Sequence, residues 1–238
     1  MKAFARALAL LLCACLLLQL FFVLRIALMA VVAPESTAFQ RSEAWQLLRG
    51  AEDLRWRQQW VDYDHIAPTL KRAVIAAEDD GFMAHHGVQW NAMEKAWQRN
   101  QRAEARARQA DSGQPAKIYG GSTITQQLAK NLLLSGERSL LRKGQELLLA
   151  QLLELLLDKR RILEIYLNSV EWGQGVFGAE AAARHYFRKS AAELSAAEAA
   201  RLAVMLPQPK RFETLPQSSY LLQRTRVVMQ RMKDATPP

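Results

Sequence analysis

The sequence contains little cysteine and little histidine, with two cysteines and four histidines in 238 residues. Cys13 and Cys15 both lie within one long apolar segment, so the rest of the chain has no thiol from which to form a disulfide. The stability of that part must therefore come from packing. No cysteine pair accompanies the scattered histidines, which excludes the usual zinc patterns. Nothing in the sequence requires a cofactor.

The long apolar segment covers residues 8–32 and predicts a membrane anchor. A helix needs about 20 apolar residues to cross the hydrocarbon core. Lys2 and Arg6 precede the segment and Glu35 is the first charge after it, which favours a cytoplasmic N-terminus. The alternative is a cleaved signal peptide, whose apolar region usually has about 7–15 residues. We predict a single-pass cytoplasmic (inner) membrane protein with its main domain on the periplasmic face.

The chain has fewer acidic than basic residues: 23 Asp and Glu against 32 Lys and Arg, which gives a net charge of +9. Such an excess indicates an anionic partner. Nucleic acid does not fit a domain on the far side of a membrane. Anionic lipid headgroups or a phosphorylated substrate fit better.

Apolar residues recur at helical spacing after the anchor, so we predict a mostly α-helical domain. Pro68 begins a helix that runs to about Asp79. Leu70 and Val74 lie four residues apart, and Glu78 is the next position of the same stripe. Partial burial there should raise the pKa of the Glu78 carboxyl above its reference of about 4.3.

The segment from Gln98 to Pro115 is rich in Arg, Gln, Glu and Ala and predicts an exposed helix followed by a mobile loop at 111–115. Its arginines form a solvated face or contact lipid headgroups.

Further on, the apolar stretch 147–157 is too short to span a bilayer and predicts a buried helix that continues to Leu167. The glycines that follow predict a tight loop, and 179–206 predicts two packed helices.

The pair Gly120-Gly121 marks a break before another helix, whose start has the capping-box spacing of Thr123 and Gln126. Thr123, Gln127 and Lys130 share one face of that helix. A helix N-terminus carries unbonded N–H groups and a partial positive charge, and a nearby lysine adds a full charge. This combination suits a phosphate group. The alternative is an ordinary capped helix with a solvated lysine.

Five blocks stand in order along the sequence: Glu78-Asp79 with Phe82, His85 and Gly87; Gly120 to Asn131; Arg142 to Glu146; Ile162 to Asn168; and Leu194 to Pro209. Together they resemble the family 51 peptidoglycan glycosyltransferases over about 64–212. The stretch from Glu171 to Gly178 looks most like the monofunctional branch of that family. Gln89 stands where the family commonly has aspartate, and the segment 101–119 is longer than usual.

The resemblance implies a domain with a lysozyme-like lobe and a smaller hydrophobic lobe near the membrane. The predicted divisions are a cytoplasmic N-terminus 1–7, a transmembrane anchor 8–32, a connector 33–63, the glycosyltransferase domain 64–212 and a C-terminal tail 213–238. The implied partners are lipid II, a lipid-linked glycan chain, the membrane and cell-wall synthesis proteins, with no nucleic acid.

The implied reaction is an inverting transfer in which the 4-hydroxyl of lipid II attacks C1 of the growing chain and undecaprenyl diphosphate leaves. The implied catalytic residues are Glu78, as general base, and Glu146, which orients cations or sugar. No metal site is predicted, and divalent metal assistance to the diphosphate stays open. The implied substrate-binding residues are Asp79, Phe82, His85, Ser122, Thr123, Gln127, Lys130, Asn131, Arg138, Arg142 and Lys143.

Two other functions fit parts of the pattern. A lysozyme-like hydrolase or lytic transglycosylase would also use a carboxylate in a helical domain, but it has no diphosphate to neutralise. A non-enzymatic scaffold for wall assembly would be expected to have lost Glu78 or Lys130.

The chain has no Ser-x-x-Lys sequence, and only 26 residues follow Phe212. We therefore expect no penicillin-binding transpeptidase activity.

Overall fold

The computed structural model describes residues 2–50, 55–110, 120–134, 136 and 139–238. Helix α1 (Lys2–Leu28) is the one helix in this described part that is long and apolar enough to cross a membrane. Its 27 residues span about 40 Å at the usual rise of 1.5 Å per residue. This length exceeds the hydrocarbon thickness of about 30 Å, which makes the helix compatible with a single-pass anchor.

The C-terminal end of α1 packs against the rest of the protein. Phe22, Ile26 and Met29 are buried in the main hydrophobic core. Gln19 and Gln145 exchange side-chain amide hydrogen bonds of 3.2 Å in both directions. The anchor and the domain therefore share a packed interface rather than being joined only through a connector.

The first half of the domain is helical. Helix α2 (Ala38–Arg49) begins with a capping box, and β1 (Arg57–Gln58) and a short 3₁₀ turn (Tyr63–His65) follow it. Helix α3 (Pro68–Glu78) matches its prediction. Helix α4 (Trp90–Ala110) begins eight residues before the predicted Gln98, and its arginines 99, 102, 106 and 108 are exposed. The loop predicted at 111–115 lies outside the described residues.

The predicted single helix through Leu167 is wrong, because the chain breaks at Leu157 and Asp158. Helix α5 (Ile124–Leu133) is followed by α6 (Leu140–Leu156) and α7 (Lys159–Ser169). The Asp158 carboxylate accepts a 2.7 Å hydrogen bond from the backbone N–H of Arg161 and so begins α7 as its N-cap. Helix α6 packs on α5, and α5 also packs on α7.

The predicted tight glycine loop is part of a small sheet. Strands β2 (Glu171–Gly173) and β3 (Val176–Phe177) pair antiparallel, and β1 pairs parallel with β3, giving the order β1-β3-β2. Gly175 turns between β2 and β3 with φ +69°, where a Cβ would lie 1.9 Å from the carbonyl oxygen of Arg55. Both the conformation and the space require glycine here.

The last third of the chain closes the core. The two predicted alanine-rich helices are α8 (Ala179–Phe187) and α9 (Ala196–Met205), separated by a 3₁₀ turn. Helix α10 (Pro209–Thr214) follows. The segment 213–238, predicted as a tail, contains α11 (Ser219–Arg231), which packs on α9 and α3 and buries Leu221 and Val228. The predicted mostly α-helical fold is confirmed.

Candidate active site

Glu78 is the last residue of α3 and is half-buried. Leu70 and Val74, the preceding positions of its stripe, are fully buried and hold this face of the helix against the core. Burial raises the pKa of the Glu78 carboxyl, and the negative charge of Asp79 acts in the same direction. The side-chain amide of Gln127 donates a 2.8 Å hydrogen bond to Glu78 Oε2 and opposes that rise. The predicted placement of a partly desolvated acid at this helix end is confirmed.

The start of α5 has the predicted capping box. Thr123 Oγ1 accepts a 3.1 Å hydrogen bond from the backbone N–H of Gln126, and Gln126 Oε1 accepts one of 2.9 Å from the N–H of Thr123. Thr123 Oγ1 also donates 2.6 Å to the carbonyl oxygen of Gly87. The helix start is thereby tied to the loop that follows Glu78.

Asp79 bonds to the start of α5, the helix end at which the sequence predicts a phosphate group. Its buried carboxylate accepts a 2.9 Å hydrogen bond from the backbone N–H of Ile124, the first residue of α5. The same carboxylate lies 2.9 and 3.0 Å from Nε2 of the buried His85. The N–H groups of Ile124 and Gln126 are therefore already bonded within the chain, so an anion at the start of α5 could not use these two groups.

Gly121 allows the segment before α5 to lie directly against α4. A Cβ at Gly121 would lie 2.7 Å from the Cβ of Ala96 and 3.1 Å from the carbonyl oxygen of Ala92. A Cβ at Gly120 would meet nothing within 4 Å. The second glycine is therefore the one that sets the distance between α4 and the site.

A groove of about 580 Å³ runs past these residues. It is bounded by the end of α3, the start of α4, the segment before α5, the exposed face of α5, the end of α9 and α11. Six of the predicted site residues line it together: Glu78, Asp79, Ser122, Thr123, Gln127 and Lys130. The acid and the lysine thus share one groove.

Several residues at the groove were not predicted from the sequence. Arg231 from α11 lines it and pairs with Asp80 at 3.0 Å, and Gln89 lines it as well. The positive charges of Arg224 and Lys130 lower the pKa of Glu78. Arg224 and Arg231 lie seven residues apart, or about two helical turns, so a shared face of α11 was the signal that could have identified them.

Glu146 forms a second cluster on α6 with two predicted cations. The buried Glu146 carboxylate pairs with Arg142 Nη1 at 3.2 Å and also with the ammonium of Lys143. These three residues are not among those that line the groove. Their helix packs directly on α5, which carries Gln127 and Lys130.

The remaining predicted residues have other positions. Phe82 is fully buried, and its ring meets that of His85 edge-on at a centroid distance of 6.4 Å. Neither side chain lines the groove: His85 bonds to Asp79, and Phe82 packs against His85. This placement corrects their predicted contact with substrate. Asn131 on α5 is half-buried and does not line the groove. Arg138 lies outside the described residues.

Within the described part of the chain, no group of three or more histidine, cysteine, aspartate or glutamate side chains is arranged to hold a metal ion. The groove instead combines one half-buried acid with cationic side chains from α5 and α11. Such an arrangement can accept a proton at one point and stabilise negative charge nearby.

Comparison with known proteins identifies the domain. A family model described as Transglycosylase matches residues 46–233. The chain belongs to the transglycosylase family. A "Biosynthetic peptidoglycan transglycosylase" of Paraburkholderia xenovorans (strain LB400) is 51% identical over 220 residues, which cover 92% of this chain and 87% of the relative. A relative of the same name from Bordetella pertussis (strain Tohama I) is 50% identical over 222 residues, or 93% of this chain and 89% of the relative.

The transglycosylase match includes every residue that lines the groove. It begins within α2, extends through α11 and leaves the anchor outside. This transglycosylase is a glycosyltransferase enzyme whose family region includes much of the segment predicted as a tail.

Proposed function

We propose that this transglycosylase polymerises lipid II into peptidoglycan glycan strands. The lipid-diphosphate-linked chain is transferred with inversion to the 4-hydroxyl of an incoming lipid II, and undecaprenyl diphosphate is released. The observation that carries the proposal is that the half-buried Glu78 and the cation Lys130 line one groove. The relatives named as biosynthetic peptidoglycan transglycosylases support the same substrate class.

In the proposed reaction Glu78 is the general base. The oxygen of the acceptor hydroxyl forms a bond to C1 as its proton passes to the Glu78 carboxylate, while the bond from C1 to the diphosphate oxygen breaks. Burial raises the pKa of Glu78, which makes its carboxylate a better proton acceptor near neutral pH. The hydrogen bond from Gln127 favours the ionised form in which Glu78 must begin.

The diphosphate leaves with the electron pair of the broken bond, so negative charge grows on its oxygens. Lys130 lines the groove beside Glu78 and is the cation we assign to that charge. Arg142 and Lys143 are held on the adjacent helix by their pairing with Glu146. In this proposal Glu146 holds these two cations in place on α6, which packs on α5, instead of accepting a proton itself.

The anchor supports a membrane-borne substrate. A single-pass helix with basic residues at its start is typical of a cytoplasmic N-terminus, which leaves the groove on the periplasmic side of the inner membrane. Lipid II carries its reacting sugars at the membrane surface. Enzyme and substrate would then meet without either leaving the bilayer.

The test is polymerisation of purified lipid II by the full-length protein in detergent. We expect glycan polymer from the wild type and a decrease of about 10²–10⁴-fold in rate for Glu78→Gln, the usual contribution of a general base. Glu94→Gln, the same change at an exposed glutamate of α4, should polymerise normally. Glu78→Gln should fold normally, since it removes the cost of ionising a desolvated carboxyl.

Two further measurements separate this function from its alternatives. Finished glycan strands should not be cleaved, and release of fragments would instead indicate a lytic enzyme. Labelled penicillin should form no covalent adduct, because the chain has no Ser-x-x-Lys sequence. A near-normal rate of polymerisation by Glu78→Gln would contradict the proposed role of Glu78 as general base.

A further inference from the structure

A hydrogen-bonded chain leads from the groove into the core. The hydroxyl of Tyr166 donates to Gln127 Oε1 at 2.9 Å, and Gln127 Nε2 donates to Glu78 Oε2 at 2.8 Å. Tyr166 belongs to α7 and is fully buried. We propose that Tyr166 is a positioning residue, whose hydroxyl holds the amide of Gln127 in the orientation that presents its N–H to Glu78. This inference rests on the proposed role of Glu78 as base.

The chemistry of the three groups fixes the direction of the chain. An ionised carboxylate only accepts hydrogen bonds, so Gln127 must turn its NH₂ group toward Glu78. The amide oxygen then faces away from the groove and needs a donor. Burial raises the pKa of the Tyr166 hydroxyl well above its ordinary value, so it keeps its proton and supplies that donor.

Without this donor, only the Glu78 carboxylate distinguishes the two orientations of the amide, and it does so only while it is ionised. The terminal torsion of glutamine is broad and roughly two-fold, so the amide inverts easily when its oxygen is unpaired. An inverted amide would place its oxygen against the Glu78 carboxylate, and the ionised form would lose a hydrogen bond and meet repulsion. The hydroxyl of Tyr166 therefore controls how readily Glu78 ionises.

The other groups that face Glu78 do not replace this hydrogen bond. Desolvation and the Asp79 charge raise its pKa, whereas Lys130 from α5 and Arg224 from α11 lower it. The Gln127 hydrogen bond lowers the pKa more than either cation does. Helix α9, which also packs on α3, ends at the groove with the apolar Leu206. Among these groups, Gln127 therefore does most to stabilise the ionised form of Glu78.

The experiment is the pH dependence of lipid II polymerisation by the full-length protein in detergent. For Tyr166→Phe we expect the acidic limb of kcat/KM to move about half to one pH unit higher, the effect of weakening one hydrogen bond to the ionised form. Activity above that limb should recover to within about twofold of wild type. Tyr186→Phe is the matched control, since its hydroxyl donates 2.9 Å to the carbonyl of Trp172 away from the groove.

A double-mutant cycle tests whether Tyr166 acts through Gln127. Gln127→Leu should shift the acidic limb at least as far as Tyr166→Phe, and the double variant should shift it no further than Gln127→Leu alone. Three results would overturn the inference. They are additive shifts of the acidic limb in the double variant, an unshifted acidic limb in Gln127→Leu, and an equal loss of activity at every pH in Tyr166→Phe. If Tyr166→Phe does not fold, the Gln127→Leu profile still decides whether the amide supports the base.

The two proposals fail in different ways. A wild-type protein that makes no polymer from lipid II would contradict the proposed function. If the wild type makes polymer and a folded Tyr166→Phe variant keeps the acidic limb of the wild type, only the role of Tyr166 is contradicted.

Discussion

Replacing Asp79 with alanine should destabilise the protein strongly, because it removes two hydrogen bonds at a buried carboxylate. The residue is about 5% exposed, and its carboxylate is bonded to the backbone N–H of Ile124 and to Nε2 of His85. A hydrogen bond to a charged group contributes about 1.5–3 kcal/mol, so the loss of both amounts to about 3–6 kcal/mol. For a chain of this size, even about 3 kcal/mol corresponds to a decrease of about 6–12 °C in Tm.

Thermal unfolding of the full-length protein in detergent, followed by intrinsic fluorescence, measures this effect. Asp80→Ala is the matched control, because the neighbouring carboxylate is exposed and pairs with Arg231 at the surface. Such a pair contributes at most about 1 kcal/mol, or about 2–4 °C. Asp79→Asn keeps an acceptor for Ile124 and should have an intermediate Tm. A Tm for Asp79→Ala within about 2 °C of that for Asp80→Ala would refute this account of the site.

Two further changes test the structure. Gly121→Ala should cost about 1–3 kcal/mol by forcing α4 away from the site, seen as a lower Tm and slower polymerisation, whereas Gly120→Ala meets open space and should change little. Burial raises the pKa of the Glu171 carboxyl to about 7, although the charge of Lys210 opposes the rise. The stability that this carboxyl contributes is therefore fully present below its unfolded pKa of about 4.5 and is lost as the pH rises through 7. The free energy of unfolding of wild type should fall between pH 5 and pH 8, and Glu171→Gln should make that fall smaller by up to about 3 kcal/mol. Thermal melts of Glu171→Gln that match wild type at both pH values would contradict this prediction.

The local features of the site were predictable from the sequence. The four-residue spacing of Leu70, Val74 and Glu78 and the capping box at Thr123 each depend on neighbours along the chain. The break before α7 was missed because Asp158 acts as a cap inside an otherwise continuous helical pattern. The small sheet was missed because strands of two or three residues are too short to show alternation.

The features that the sequence did not predict depend on contacts between distant elements. Periodicity gives α5 an open N-terminus, but only the folded chain brings Asp79 onto its first N–H group. In the same way, Arg231 reaches the groove because α11 packs on α3 and α9. Tyr166 was part of a recognised block, yet its link to Gln127 appears only when α7 lies beside α5.

Gln19, Phe22 and Ile26 of α1, with Met29 just after it, dock onto the domain. This contact fixes the direction of α1 relative to the groove. With α1 inserted in a bilayer, the groove would have one height and one orientation above the membrane surface, which a flexible tether would not give it. An unrelated apolar helix of equal length would keep the apolar span but lose this contact.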